Sequence, residues 1–337
     1  MRVLHLPVGR QMHEMCAALN KHGVEAASCH FRDRSTFGTP DICLHLDKLS
    51  GPERLRRRET FLAEAAAQYD IFHFHFGETF MKDHSDLAYL KQLGKKLIVQ
   101  HRGSDVRRLS VARRRGNVWV RVKPGKRRTD AEIRHKLKLL SRHIDDVIVA
   151  DKELHGYVHK RYKRIHLLRQ FITLDKFKPI YPSANNDTPL IVHAPTNVYL
   201  KGTAFIEQAI ARLRRRGIRF EYRRIEGLRH EEAIGLYRRA DIFIDQLLQG
   251  SFGVAALEGM ALGKPVVCYI EDNLKATYPP GLPIVSANPD SCYDVLKKLL
   301  RRPRLRRCIG KAGRRYIRRY YDADKLAKQL IAIYNKL

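Results

Sequence analysis

The sequence predicts an α/β protein built from two doubly wound lobes, and three observations carry that expectation. Short apolar strands alternate with amphipathic helices from residue 2 to about residue 150. A stretch rich in proline and asparagine follows, Phe177 to Thr188, with Pro179, Pro182 and Asn185-Asn186-Asp187, and it reads as a flexible linker. A second alternation begins at Leu190 and continues toward the last helix. Length agrees: 337 residues exceed one ordinary core and suit two domains of about 150 to 170 residues each.

The first lobe opens with a buried strand over residues 2–6, a turn at Pro7 and Gly9, and a helix from Gln11 to Lys21 with Met12, Met15, Cys16 and Leu19 on one side. Gly23 is the expected C-cap, before a strand at Val24-Glu25-Ala26. Pro52 to Gln68 reads as a helix, Tyr69 to Gly77 as a strand, Asp83 to Leu93 as a helix and Lys96 to His101 as a strand. Asp130 to Ser141 and Asp146 to Ala150 add a helix and a strand. In the second lobe, Leu190 to His193, Phe220 to Arg223, Asp241 to Asp245 and Pro265 to Ile270 read as strands. Thr203 to Gly217, Glu231 to Arg239, Ser291 to Leu300, Leu305 to Arg319 and Asp324 to Tyr334 read as helices. Ligands of such sheets lie outside the carboxyl ends of the strands, so the expected site is a cleft between the lobes.

Hydrophobic residues make up 44% and charged residues 30%, which excludes a disordered chain. No run of 18 apolar residues exists to span a bilayer, and residues 1–7 read as a strand, not a signal peptide. The six cysteines at 16, 29, 43, 268, 292 and 308 form no CxxC pair, which favours free thiols in a reducing compartment over a structural zinc site. The net charge of +30 attracts polyanions: nucleic acid, an anionic membrane or an acidic glycan. Ten basic residues and no acid lie in 107–128, and twelve basic residues and no acid in 297–319. The bland alternative for both blocks is a solvated basic surface.

The most informative stretch is Gly250-Ser251-Phe252-Gly253, which leads into a short helix carrying Glu258 and ending at Gly263. Amides at a helix start stabilise phosphate oxygens, a glycine allows close approach, and a carboxylate further along accepts hydrogen bonds from a ribose diol. The competing account is an ordinary helix start with a solvent-facing Glu258. Lys201, where a strand runs into a helix, suits the charge of a departing diphosphate; the alternative is a lysine on a polar loop. Gly9, in the first lobe's opening turn, joins the candidate ligand-binding glycines. His101-Arg102-Gly103-Ser104-Asp105 ends a strand, so His101 is a candidate for positioning a hydroxyl or moving a proton. Asp105 is a candidate for holding the following loop or orienting neighbouring cations. His193 reads as structural. His73 and His75 share one face of a strand, yet packing explains them better than a metal. Asp245, at a strand's C-terminal end, reads as more functional than Asp241, and the 226–232 loop is expected near a nucleotide base.

Gly250 to Val267 resembles the signature of GT-B glycosyltransferases of the retaining family 4 group (glycosyl transferases group 1). That signature places two glutamates with seven residues between them before Ala-x-Gly-x-Pro-Val-Val. Glu258 matches the second glutamate and 263–267 the tail, whereas the first glutamate falls on Gly250. His101 and Lys201 resemble the family's donor-side histidine and phosphate-binding lysine, and residues 171–177 resemble its passage into the second lobe. The resemblance implies two Rossmann-like doubly wound domains facing a cleft: an acceptor-side domain over 1–177, a nucleotide-sugar domain over 178–320, and a helix over 321–337 that packs back on the first. It implies transfer of a sugar from a UDP- or GDP-sugar to an acceptor hydroxyl with retention, without a bound cofactor or metal. Catalytic candidates are then His101, Lys201 and Asp245. Donor-binding candidates are Gly9, Lys201, Gly250, Ser251, Phe252, Gly253 and Glu258. Asp105, Arg107, Arg108, Arg113 and Arg114 are candidates for a glycan, a lipid-linked acceptor or another polyanion.

The expected setting is cytoplasmic cell-surface polysaccharide or glycolipid synthesis, with peripheral contact at the inner face of the membrane. Three rivals stay open. One is a degenerate protein of the same fold that binds nucleotide or polyanion without transfer, which the glycine at 250 makes reasonable. Another is a nucleotide-sugar epimerase. The third is a nucleic-acid-binding protein, disfavoured because no recognised module accompanies the charge.

Overall fold

A computed structural model describes residues 1–7, 9–33, 39–121 and 129–337. The chain divides into two compact units: Met1–Arg108 with Arg128–Phe171 and Ala323–Leu337, and Leu109–Arg127 with Ile172–Asp322.

The first unit contains β1 (Arg2–Leu6), α1 (Arg10–Lys21), β2 (Glu25–His30), β3 (Ile42–Cys43), α2 (Gly51–Gln68), β4 (Ile71–His75), α3 (Asp86–Gln92) and β5 (Lys96–Gln100). In the second unit lies α4 (Leu109–Arg114), after which α5 (Asp130–His143), β6 (Asp146–Val149), α6 (Lys152–Val158) and β7 (Arg164–Leu167) complete the first. Its sheet runs β3-β2-β1-β4-β5-β6-β7, all parallel. That is the doubly wound order with one added strand, and its topological switch point falls between β1 and β4. Every residue of β4 is buried, as a sheet covered on both faces requires. At the start of α5, Thr129 and Glu132 form a capping box: the Glu132 amide donates to Thr129 Oγ1 at 3.1 Å and the Thr129 amide to Glu132 Oε2 at 2.6 Å.

The second unit continues with β8 (Leu190–His193), α7 (Val198–Lys201), α8 (Thr203–Arg215), β9 (Glu221–Arg224), α9 (His230–Arg239), β10 (Ile242–Ile244), α10 (Val254–Ala261), β11 (Val266–Val267), α11 (Asp272–Lys275), α12 (Cys292–Leu300) and α13 (Pro303–Tyr320). Its parallel sheet runs β11-β10-β8-β9, which puts a switch point between β8 and β10. The last helix, α14 (Ala323–Tyr334), belongs to the first unit, where Leu326, Ala327 and Leu330 share a core with Val3, Met15 and Ile71.

The structure departs from the sequence expectation in three ways. The proline-rich stretch after Phe177 is fastened down rather than flexible. Arg314 Nη1 donates to the Phe177 and Ala261 carbonyls (2.8 and 2.9 Å), Arg306 Nη2 donates to Asn186 O (2.9 Å), and the Ile180 amide donates to Leu262 O (3.0 Å). Those arginines come from the second basic block, so part of that block is internal scaffolding; Arg306 is wholly buried and also caps the end of α12 through Leu299 O and Leu300 O. Secondly, the segment from Leu109 packs in the second unit, not the acceptor-side lobe, because Asn117, Trp119 and Arg121 all find their partners there. Lys123, Lys126, Arg127 and Arg128 of the first basic block lie outside the described residues. Finally, only Val266–Val267 of the expected 265–270 strand is laddered.

Candidate functional site

In the second unit, the residues singled out by the sequence gather at the switch point between β8 and β10. His193 ends β8 fully buried. Its Nδ1 donates to Ile244 O at 3.0 Å, so Nε2 accepts from the Thr203 hydroxyl at 2.9 Å. Burial lowers its pKa to about 4, which keeps the ring neutral in this structural role. It thereby ties the start of α8 to the end of β10.

Lys201 ends α7, and its ammonium meets Asp245 Oδ1 at 2.5 Å. Asp245, just beyond β10, is 1% exposed on its side chain. Its second oxygen accepts from the Gly253 amide at 3.2 Å, at the N-cap of α10. A side chain at 253 would stand against this pair, its Cβ 3.9 Å from Asp245 Oδ2 and 4.0 Å from Lys201 Nζ. Position 253 thus lies directly beside the cation. Gln246 organises the loop below: its Oε1 accepts from the amides of Leu248 (3.2 Å) and Gln249 (2.7 Å), and its Nε2 donates to Ser251 O.

The arrangement assigns different work to the candidates. Asp245 orients Lys201 and pins the N-cap amide of α10, which is positioning. Phe252 is a core residue, its ring 4.9 Å from Tyr278 and 6.1 Å from Tyr321. Glu258 lies on α10 with a nearly buried carboxylate that accepts from His230 Nε2 at 3.0 Å. His230, the first residue of α9, is a partner that the sequence reading missed, although it lies in the loop expected near a base.

In the first unit, His101 follows β5 and is 1% exposed. Its Nδ1 meets Asp105 Oδ2 at 2.6 Å and its Nε2 meets the Tyr162 hydroxyl at 2.9 Å. Since the carboxylate accepts, Nδ1 carries a proton, and the Tyr162 hydroxyl pairs with Nε2. Burial alone would raise the Asp105 carboxyl, but the His101 charge and hydrogen bond and the Arg102 amide outweigh it and hold the pKa at about 2. Asp105 Oδ1 also takes the Gly103 amide at 3.0 Å. Both ring nitrogens are thus engaged, and His101 reaches an outside hydroxyl only by exchanging Tyr162 for it. Tyr162 carried no signal in the sequence. Gly9 is the N-cap of α1 at the exit of β1, in this unit and not among the second unit's candidates.

The polyanion candidates separate. Asp105 serves His101. Arg107 is consumed by Glu153, with Nη2 2.8 Å from Oε2, and Arg108 is buried and donates to Tyr157 O at 2.7 Å. Asp105 holds the loop through the Arg102 and Gly103 amides, as expected of it, whereas Arg107 and Arg108 each have an internal partner that a guest anion would have to displace. Arg113 and Arg114 are exposed in α4. Along α13, Arg304, Arg307, Lys311, Arg315, Arg318 and Arg319 are exposed.

One further cluster sits on β1 and β4. His5, His73 and His75 are fully buried, and burial holds His5 down to about 3 and the other two well below the usual range. Arg102 Nη2 lies 3.0 Å from His75 Nδ1, His75 Nε2 lies 3.2 Å from His5 Nδ1, and the Tyr334 hydroxyl bridges His5 Nε2 (3.1 Å) to His73 Nδ1 (2.7 Å). These nitrogens are joined to one another by hydrogen bonds.

The family described as "Glycosyl transferase-like" matches residues 197–332. MMP alpha-(1->4)-mannosyltransferase of Mycolicibacterium hassiacum is 26% identical over 202 residues, covering 52% of this chain and 49% of that protein. The match thus spans about half the length of that curated relative. Among solved structures, Anabaena HepE in complex with UDP and glucose superposes with a TM-score of 0.67 at 12% identity, covering 100% of both chains. The UDP-GlcNAc 2-epimerase of Neisseria meningitidis, bound to UDP-GlcNAc, superposes at 0.58 with 13% identity, again over 100% of both chains. The chain therefore has the GT-B fold, two Rossmann-like α/β units. Solved proteins of this fold include one in complex with UDP and glucose and a UDP-GlcNAc 2-epimerase. Among the described residues, no helix is long and apolar enough to cross a membrane.

Proposed function

We propose that this protein is a retaining glycosyltransferase that moves a sugar from a nucleoside diphosphate sugar to an acceptor hydroxyl. The carrying observation is the convergence of Lys201, Asp245 and Gly253 at the β8–β10 switch point, with Glu258 one turn into the helix that Gly253 caps. A diphosphate over Gly253 meets the Lys201 ammonium and the first turn of α10, which stabilises the charge that develops on the leaving group. Asp245 keeps the ammonium in place before the ligand arrives. Glu258, oriented by His230, accepts from the ribose diol.

Retention follows from front-face attack, in which the departing phosphate takes the acceptor proton and no protein nucleophile is required. The proposed reaction itself needs no resident metal or cofactor, since Lys201 and the first turn of α10 meet the charge on the leaving group. An anionic glycan or lipid-linked acceptor fits the exposed Arg113, Arg114 and α13 cations, and the same cations favour contact with an anionic membrane.

A thermal-shift titration with UDP, GDP, ADP and CMP, with and without magnesium, tests the reading on the wild type and on Glu258→Ala. One nucleotide is expected to raise the melting temperature in the wild type, independently of magnesium. The shift is expected to disappear in the variant, because a lost charged hydrogen-bond pair costs about 1.5–3 kcal/mol of binding. No shift with any nucleotide would sink the assignment. Turnover of the sugar nucleotide to an epimer without acceptor would replace transfer by epimerisation.

A further inference from the structure

Gly250 is glycine for two physical reasons. Its φ of 77° lies in the left-handed region. Beyond that, a Cβ on this residue would press into the Glu271 side chain, 2.6 Å from Cγ and 2.8 Å from Cδ, with Oε1 closer still. The Glu271 carboxylate therefore occupies the space in which a side chain at 250 would begin.

It arrives there from a different strand. Glu271 follows β11, the neighbour of β10, so both exits lie on the same edge of the sheet. The Glu271 amide donates to Gly250 O at 2.9 Å, which fixes the two loops against each other. Its side chain is 4% exposed. Asn117 Nδ2 donates to Oε1 at 3.0 Å and to Leu248 O at 3.1 Å, while Asn117 Oδ1 accepts from the Trp119 and Val120 amides. Arg115 Nε stands 3.5 Å from Oε2. Segments separated by about 150 positions thus close on the loop leading to the N-cap of α10.

Scaffolding alone gives little reason for this acid. A buried ion pair is often replaced by well-packed apolar residues at no cost in stability. A buried carboxylate kept beside a helix start, at the carboxyl edge of a parallel sheet, suits ligand recognition. We propose that Glu271 is the sugar-facing carboxylate of the donor site, standing in for a side chain at 250, and that Asn117 and Arg115 are positioning residues that hold it there. The inference rests on the reading of the second unit as a nucleoside diphosphate sugar site. Its ligand class is a hydroxyl-rich hexose attached to the diphosphate, whose vicinal hydroxyls donate to the carboxylate.

Titration calorimetry with two ligand pairs, UDP with UDP-glucose and GDP with GDP-mannose, separates sugar contacts from nucleotide contacts. Glu271→Gln keeps the shape and removes the charge. It is expected to bind the nucleoside diphosphate within about twofold of the wild type and the sugar conjugate about tenfold more weakly, the scale of a lost charged hydrogen bond. Gly250→Ala pushes the carboxylate aside without removing it and is expected to show the same selectivity. Equal weakening of both ligands in Glu271→Gln would mean that the acid only braces the loop, and unchanged binding of both would leave it without a role; either overturns the inference. Glu258→Ala serves as the reference, since it should lose both ligands together. If the wild type binds neither pair, the donor-site reading itself falls and this inference falls with it.

Discussion

At the scale of single residues, the second unit's site depends on one buried carboxylate serving two masters. Asp245 holds the Lys201 ammonium with one oxygen and the Gly253 amide with the other. Removing it leaves a mostly buried cation unpaired and frees the Gly253 amide at the N-cap of α10. Asp245→Ala is expected to destabilise the protein by roughly 3 kcal/mol, the cost of breaking a buried pair from one side. Asp245→Asn retains an acceptor for the Gly253 amide and should lose less. Urea unfolding of the two variants checks the order; equal stabilities would mean that the amide contact contributes nothing. Lys201, Gly253 and Glu258 were legible in the sequence because their chemistry follows from local spacing around strand ends and a helix start. Asn117 with Glu271 and His101 with Tyr162 were not, because each pair is separated by tens to hundreds of positions, and only the folded chain brings them together.

Among the elements, the long strands and helices could be read from periodicity, since a sheet covered on both faces demands apolar runs such as Val147 to Val149 and helices announce their buried stripes. The two-residue β3, the polar edge strand β7 and the short α4 and α6 lack enough residues to establish a period. The last helix shows how one polar group joins elements. Arg102 can only donate, so His75 Nδ1 accepts and His75 Nε2 donates to His5 Nδ1. His5 Nε2 then donates to the Tyr334 hydroxyl, which donates to His73 Nδ1. The chain of bonds runs one way, and all three rings are fixed with the proton on Nε2. Nitrogen NMR of the imidazoles is expected to show that tautomer for His5, His73 and His75. Tyr334→Phe removes the link between α14 and the strands and should cost about 1–3 kcal/mol, because it leaves buried imidazole nitrogens without partners. A Nδ1–H tautomer at His75 would contradict the direction of the chain.

For the molecule as a whole, these buried imidazoles make stability depend on pH with a definite sign. Burial lowers His5 to about 3, His84 and His193 to about 4, and His73 and His75 well below the ordinary 6.5. The Arg102 cation works in the same direction on His5, His73 and His75. In the unfolded chain all five regain a pKa near 6.5. Above that value neither state binds protons at these rings, and the stability they contribute is fully present. As pH falls below 6.5 the unfolded chain takes up protons that the folded chain refuses, so stability drops as the pH approaches the folded values, about 3 for His5 and about 4 for His84 and His193. Each ring contributes up to about 1.4 kcal/mol per pH unit. Several acting together therefore approach the whole stability of a typical domain, about 5–15 kcal/mol, within two units. The urea midpoint is expected to stay level from about pH 8 to pH 7 and to fall steeply between pH 6.5 and 5, with roughly three to five protons taken up on unfolding. A midpoint that holds steady down to pH 5 would mean that these rings titrate normally in the folded protein, and that the buried imidazole chain does not hold its neutral form.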